Sequence, residues 1–323
     1  MEMETADLIN YIEPALDLWN RHCREKSVYK QMDRSTFADK FTCSEAEIIK
    51  ISFAAIYESS FAGFSAGVYD KASGKAYISY ILVDKKYRGQ KIGSLLLQAL
   101  EQKLFEISDG RVKKYEVIFF NPAKLEWIIP ETKSDDHPNS PGVDISCGGY
   151  IFLKNCGYRD IAYQNSYYRP LKGFTVPPDI ALKREELMKN NIIFEYYDKN
   201  LHYDLNELFD DLKNDVWRKA VLDGIEDGKP VIVVSDGGRI CGYAGPLSVQ
   251  SSMRGYFEGI GVHSAYRHHG IGKVLFNVLC ESLKEKGAGF MSLFTGETNP
   301  ARNIYESAGF KIVRVWSDMQ KEI

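Results

Sequence analysis

Tyr256-Phe-Glu-Gly-Ile-Gly-Val262-His-Ser-Ala-Tyr-Arg267-His-His-Gly270-Ile-Gly272-Lys273-Val-Leu-Phe276 is the stretch on which the reading of the fold turns. Tyr256 to Val262 mixes β-branched, aromatic and glycine residues without helical spacing and predicts a strand. After it, Val274, Leu275, Val278, Leu279 and Leu283 recur at steps of one, three and four, the spacing of a helix with one apolar face. Between the two stands Arg-x-x-Gly-x-Gly. A glycine-bearing turn opening onto a helix N-terminus holds anions, because its N–H groups lack intrahelical partners and the helix dipole favours negative charge there. The spacing is neither Gly-x-x-x-x-Gly-Lys-Ser/Thr nor Gly-x-Gly-x-x-Gly followed about twenty residues on by an acid, so a P-loop and a dinucleotide site are both disfavoured.

The turn resembles the acetyl-CoA signature of the GNAT acetyltransferases, Gln/Arg-x-x-Gly-x-Gly/Ala. The resemblance implies that Arg267, His268, His269, Gly270, Ile271, Gly272 and Lys273 wrap the pyrophosphate of coenzyme A. It also implies that backbone groups of Ile260, Gly261 and Val262 align the pantetheine and the thioester carbonyl, with an N–H near Val262 as oxyanion donor. A second stretch, Asn299-Pro-Ala-Arg302-Asn-Ile-Tyr305-Glu-Ser-Ala-Gly309-Phe310, resembles the family's closing helix and turn. Proline suits a first helical position and glycine a C-cap. By this resemblance Tyr305 protonates the departing thiolate, and Asn299 and Arg302 join the cofactor contacts. Glu258, two residues before Ile260 and so expected on the same strand face, is the candidate base, with fixing a neighbouring loop as its structural alternative.

The same pattern occurs 179 positions earlier. Tyr77–Leu97 matches Tyr256–Phe276 without a gap at Tyr77/Tyr256, Ile81/Ile260, Val83/Val262, Tyr87/Tyr266, Arg88/Arg267, Ile92/Ile271, Gly93/Gly272 and Leu96/Leu275, which points to a structural repeat. Phe152–Tyr158 likewise parallels Ile304–Phe310. The chain therefore resembles a tandem GNAT protein: α/β (α+β) class, two domains, each a mixed and mostly antiparallel sheet with flanking helices and a splayed central strand pair. The expected limits are 1–170, with an insertion at 122–148 read as a passive loop rather than a lid, a linker at 171–178, and a second domain at 179–323. Where the second copy has Gly270, Glu258 and Tyr305, the first has Lys91, Ser79 and Leu153. The first domain is thus read as a degenerate copy without catalysis, and the second as the catalytic one.

Composition agrees. A chain of 323 residues exceeds the size at which one core suffices. The 44% apolar content can build two cores, and a net charge of −3 argues against a nucleic-acid partner. Six scattered cysteines without a Cys-x-x-Cys pair, an acidic start and no long apolar run lead to a cytoplasmic expectation, with neither membrane nor metal. His263, His268 and His269 are not expected to bind a metal. Asp211, Asp215 and Asp223 are read as a solvated helix face. The expected reaction is acetyl transfer from acetyl-CoA to a primary amine of a small molecule. A non-catalytic acyl-CoA sensor and a protein N-acetyltransferase are the rival readings. A monomer is expected, because a tandem chain already supplies the pairing that single-domain relatives obtain by dimerising.

Overall fold

In chain order the first elements are β1 (Met3–Asp7), α1 (Ile12–Lys26), α2 (Arg34–Phe41), β2 (Ile48–Tyr57), β3 (Ser60–Asp70), β4 (Lys75–Val83), α3 (Ile92–Ile107) and β5 (Lys114–Val117). Three two-residue strands follow, β6 (Trp127–Ile128), β7 (Asp136–His137) and β8 (Val143–Asp144), then α4 (Gly148–Asn155) and β9 (Arg159–Pro170). The rest are α5 (Pro178–Lys189), β10 (Ile192–Tyr196), α6 (Leu205–Leu212), α7 (Asp215–Glu226), β11 (Ile232–Asp236), β12 (Arg239–Val249), β13 (Gly255–Val262), α8 (Ile271–Glu285), β14 (Phe290–Gly296), α9 (Arg302–Ser307) and β15 (Lys311–Glu322). This computed structural model describes residues 3–26 and 28–323; Met1, Glu2 and Ser27 lie outside the description. Backbone contacts divide the chain into a first unit, 1–166 with 313–323, and a second, 167–312.

In the first unit β1 to β4 pair antiparallel in sequence order. β4 and β5 run parallel but register only at Ala76↔Tyr115 and Tyr77↔Glu116, so the two strands part beyond Tyr77. This is the splayed pair expected from the sequence. One sheet face is covered by α1 and α2, through Leu8, Trp19, Phe37 and Phe41 against Phe64 and Leu82. The other is covered by α3 and α4, through Leu97, Leu100 and Leu153 against Tyr69, Ile78 and Tyr115. The second unit repeats the plan. β10 to β13 pair antiparallel in order, and β14 meets the region of β13 at the parallel bridge Arg254↔Phe290. The α8 core (Val274, Leu275, Leu279, Leu283) fills one face. Leu208 and Phe209 of α6, with Val221 of α7, cover Val231, Val233 and Tyr243 on the other.

Two regions differ from the sequence-based expectation. Residues 122–148 are largely irregular, with only three two-residue strands, but their first part packs inward. Leu125, Trp127 and Ile129 are 5%, 0% and 0% exposed, Ile128 N–H donates to Val28 O at 2.8 Å, and the Trp127 and Trp316 rings meet at 5.1 Å. Ala123, Leu125, Trp127 and Ile129 alternate inward, as in a strand, whereas Glu131, Lys133, Ser134 and residues 145–148 are exposed. The last strand, expected to close the second domain near Trp316, runs on to Glu322, and from Val313 it belongs to the first unit. There it pairs antiparallel with β5, Met319 opposite Val117. Its residues Trp316 to Met319 are all buried. A strand covered on both faces shows no inward–outward alternation, which hid its partner from sequence reasoning.

One of those four is Asp318. Burial pushes its carboxyl pKa up to about 6, helped by the nearby Glu116 charge and opposed by hydrogen bonds from Gln164 (2.9 Å) and the Phe119 backbone. A carboxyl whose folded pKa exceeds its ordinary 3.8 favours folding below that value and loses this contribution as pH rises through about 6. Asp318→Asn, which keeps an acceptor for Gln164, is expected to raise the melting temperature near neutral pH and to leave it unchanged near pH 4. Thermal melts across that range check this; a variant less stable than the parent at neutral pH contradicts it.

Candidate active site

The strand–turn–helix of the second unit places its parts as follows. β13 ends at Val262. His263 Nδ1 accepts the Ala265 N–H at 3.2 Å and starts a short 3-10 turn over Ser264–Tyr266. Arg267 Nε donates back to Val262 O at 3.0 Å. The backbone then enters the left-handed region at His268 (φ +69°) and Gly270 (φ +84°), and α8 begins at Ile271. Among the described residues the N–H groups of His268 through Gly272 find no acceptor in the protein. Five unpartnered amides at a helix N-terminus, flanked by Arg267 and Lys273, fit a pyrophosphate. Lys183 of α5 lies alongside: a Cβ on Gly270 would stand 3.1 Å from its Cε, while its ammonium pairs with Glu186 at 2.7 Å.

Asp211, read from the sequence as part of a solvated face, instead anchors this turn. Its carboxylate accepts the Ser264 N–H at 2.7 Å and the Ser264 hydroxyl at 2.5 Å, and Arg267 lies 3.8 Å away. The Ser264 hydroxyl, above all, lowers the Asp211 pKa, and the charges of His263 and Arg267 add to the effect. Sequence gave no hint of this contact across 53 positions. Asp215 and Asp223 do pair locally, with Arg218 at 3.7 Å and Lys219 at 2.5 Å. Removing the anchor by Asp211→Ala frees one charged hydrogen-bond acceptor, worth about 1.5–3 kcal/mol. It is expected to lower the melting temperature at neutral pH, which thermal melts check. Its stabilisation, present above pH 3.8, is lost as pH falls through the lowered folded pKa, so parent and variant should converge in acid.

The proposed acid and base lie on the two elements adjoining the turn. Tyr305, on α9, is 8% exposed, with its ring 4.9 Å from Phe276 and 5.6 Å from Tyr167. Burial pushes its phenol up to about 12. A Cβ on Gly272 would stand 3.4 Å from Ile304 Cδ1 and 4.0 Å from Val262 Cγ2, so α8, α9 and the end of β13 come together around this residue. The same holds at Gly93 in the first unit, with Phe152 at 3.3 Å and Val83 at 3.8 Å. Glu258 accepts a short hydrogen bond from the Tyr256 hydroxyl. Phe257 packs on the α8 core together with Ile260 and Val262. Asn299 Oδ1 accepts the Ala301 N–H at 2.9 Å, and Arg302 contacts Glu306 and Glu297 O, each at 3.3 Å. His268 and His269 are exposed.

Comparing the two copies exposes what sequence reasoning passed over. The first turn has the same form as the second, with left-handed residues at Gly89 (φ +83°) and Lys91 (φ +62°) and Arg88 Nε donating to Val83 O at 3.1 Å. Each copy has glycine at one of the two strained positions and a side chain at the other. Lys91 therefore takes up the left-handed conformation without changing the form of the turn. The larger difference lies on the strand. Gly259 and Gly261 face α6 and α7: Cβ atoms there would stand 2.4 Å from the Tyr243 hydroxyl and 2.7 Å from Leu212. Their counterparts in β4 are Tyr80 and Leu82, which fill that face against Trp19 and Phe64. Ser79, opposite Glu258 in the repeat, sits at a β-bulge and is bound by Asn121, whose side chain also donates to Ile78 O at 3.3 Å. The gapless repeat already carried the Gly/Tyr and Gly/Leu contrast; it lay among the mismatches.

Comparison with known proteins follows the same division. The family model described as the acetyltransferase (GNAT) family matches residues 15–123 and 191–310. No curated protein sequence matches significantly. Among solved structures, a GCN5-related glucosamine N-acetyltransferase region of a fungal multi-domain GH3 β-N-acetylglucosaminidase is similar at TM-score 0.68 and 15% identity, over 99% of this chain. This chain spans 38% of that protein's length. A GCN5-related N-acetyltransferase from Sphaerobacter thermophilus is similar at 0.62 and 13%, covering 99% of this chain and 95% of that one. A tandem GNAT protein from the clavulanic acid biosynthesis pathway is similar at 0.58 and 13%, covering 99% and 98%. At these identities the likeness is one of fold. Among the described residues no helix is long and apolar enough to cross a membrane.

Proposed function

The chain belongs to the GNAT acetyltransferase family through both of its halves, and from that premise we propose that its second unit moves an acetyl group from acetyl-CoA to the primary amine of a small molecule. The observation that carries this reading is the bare strand. Beside the anion-holding turn, β13 presents glycine at 259 and 261, whereas β4 carries Tyr80 and Leu82 at the same places. Where those Cβ atoms would stand, Tyr243, Trp217 and Leu212 lie against the strand, so a ligand approaches this glycine backbone by displacing them.

Acetyl-CoA supplies the electrophile: the amine nitrogen bonds to the thioester carbonyl carbon, and the C–S bond breaks to release the thiolate. The unpartnered amides of His268 to Gly272, with Arg267 and Lys273, hold the pyrophosphate. Glu258 takes the proton the amine must lose, directly or through water. Tyr305, neutral at any ordinary pH, gives its proton to the departing sulfur. In the first unit the counterparts of Glu258 and Tyr305 are Ser79 and Leu153, which offer neither base nor acid.

The test is thiol release from acetyl-CoA on addition of primary amines, with calorimetry of coenzyme A alongside. Transfer to at least one amine, with a single coenzyme A bound per chain, supports the proposal. Tight binding without turnover on any amine points instead to an acyl-CoA-sensing role. Two sites per chain would return the first unit to consideration.

A further inference from the structure

Tyr243 of β12 is fully buried, yet its hydroxyl has no hydrogen-bond partner among the described residues. Its ring packs at 4.9 Å from Phe209 and 6.3 Å from Trp217. A buried hydroxyl that gives up water and gains nothing is a cost to folding, and this chain shows how the cost is avoided. The repeat places Phe64 at the equivalent position. The pairing is the same in both copies, Phe64 opposite Leu82 and Tyr243 opposite Gly261, and Phe64 is as fully buried. A phenyl ring therefore suffices to fill the site. The hydroxyl occurs only in the copy that also has Glu258 and the bare glycines. It points at β13 next to Glu258, so close that a Cβ on Gly259 would stand 2.4 Å from it.

Resting on the acetyl-transfer reading above, we propose that the Tyr243 hydroxyl binds the acceptor, accepting an N–H of an unbranched aliphatic primary amine whose charge Glu258 balances. The amine brings up to three N–H donors, and the carboxylate and the phenol oxygen provide acceptors on neighbouring strands. Burial, then the Glu258 charge, keep the phenol protonated. The walls at this point are apolar: Leu212, whose Cδ1 would be 2.7 Å from a Cβ on Gly261, and Trp217, at 2.8 Å from one on Gly259. They suit a methylene chain rather than a sugar ring. Trp217 is half-buried and covers the hydroxyl, so the amine reaches it by displacing the indole. Tyr243 acts here as an acceptor-binding residue and takes no proton from the substrate.

The experiment compares the full-length protein with Tyr243→Phe, using n-butylamine and 1,4-diaminobutane as probes and D-glucosamine as contrast. The expected result is a KM for n-butylamine raised about tenfold, with kcat changed less than threefold, an unchanged Kd for acetyl-CoA and a melting temperature equal to or above the parent's. In the parent, n-butylamine should also change tryptophan fluorescence, and Trp217→Phe should remove that change, because Trp19, Trp127 and Trp316 are wholly buried. An amine KM within twofold of the parent overturns the inference while leaving acetyl transfer standing. So does a Tyr243→Phe chain that fails to fold, which would make the hydroxyl structural. Transfer to D-glucosamine but not to n-butylamine overturns the amine class. Absence of transfer to any amine removes the underlying reading itself.

Discussion

Tyr305→Phe is expected to lower kcat by about a hundredfold or more while leaving the Kd for acetyl-CoA within twofold, since a positioned general acid contributes about 10²–10⁴-fold. The substitution removes one oxygen and keeps the ring against Phe276 and Tyr167, so the melting temperature should barely move. That separation makes the result diagnostic. If the tyrosine only packs, the phenyl ring serves as well and neither stability nor rate changes. The pH profile adds a second check. With its phenol pushed up to about 12, Tyr305 is protonated throughout the working range, so a fall in rate between pH 7 and 10 must come from another group and should persist in the variant. A Tyr305→Phe enzyme with a kcat close to the parent's would falsify the assignment.

Glu258→Gln carries the other large effect. It keeps the side chain's size and its acceptor for the Tyr256 hydroxyl but cannot take a proton. The expected loss is again about 10²-fold or more in kcat/KM at neutral pH. Because a free amine needs no base, the deficit should shrink as pH approaches the acceptor's own pKa. Steady-state rates from pH 6 to 10 measure this. A deficit constant across that range would leave Glu258 as an orienting group; a variant as active as the parent would make its bond to Tyr256 purely structural. The two substitutions address opposite ends of one proton path, so a double variant should lose less than the product of the single losses if either step alone limits the rate.

Much of the site was legible because its signals are local. Arg267, Gly270 and Gly272 lie within six residues, and their spacing sets the path of one turn and one helix start. The strand of 255–262 and the helix of 271–285 were readable from side-chain period. The gapless repeat added a comparison inside the chain itself. It pointed first to Lys91 against Gly270 as the obstructing difference, and the structure moves the weight elsewhere. Lys91 takes up the left-handed conformation, a local cost that the rest of the unit supports, while Tyr80 and Leu82 fill what Gly259 and Gly261 leave bare.

The sequence by itself determined the two-unit architecture, the strand–turn–helix at each centre and the place of the glycine-bearing turns, because backbone preference and periodicity act over a few residues at a time; Tyr305 and Glu258 became candidates through the family resemblance those motifs carry. Only the tertiary structure decided that Asp211 ties down the turn, that residues 123–129 pack inward, that the strand from Val313 belongs to the first unit, and that Tyr243 holds a hydroxyl with nothing to bind. Each of these depends on partners tens to hundreds of positions apart, and which distant groups meet is fixed by burial of the whole chain, to which no single window of sequence has access.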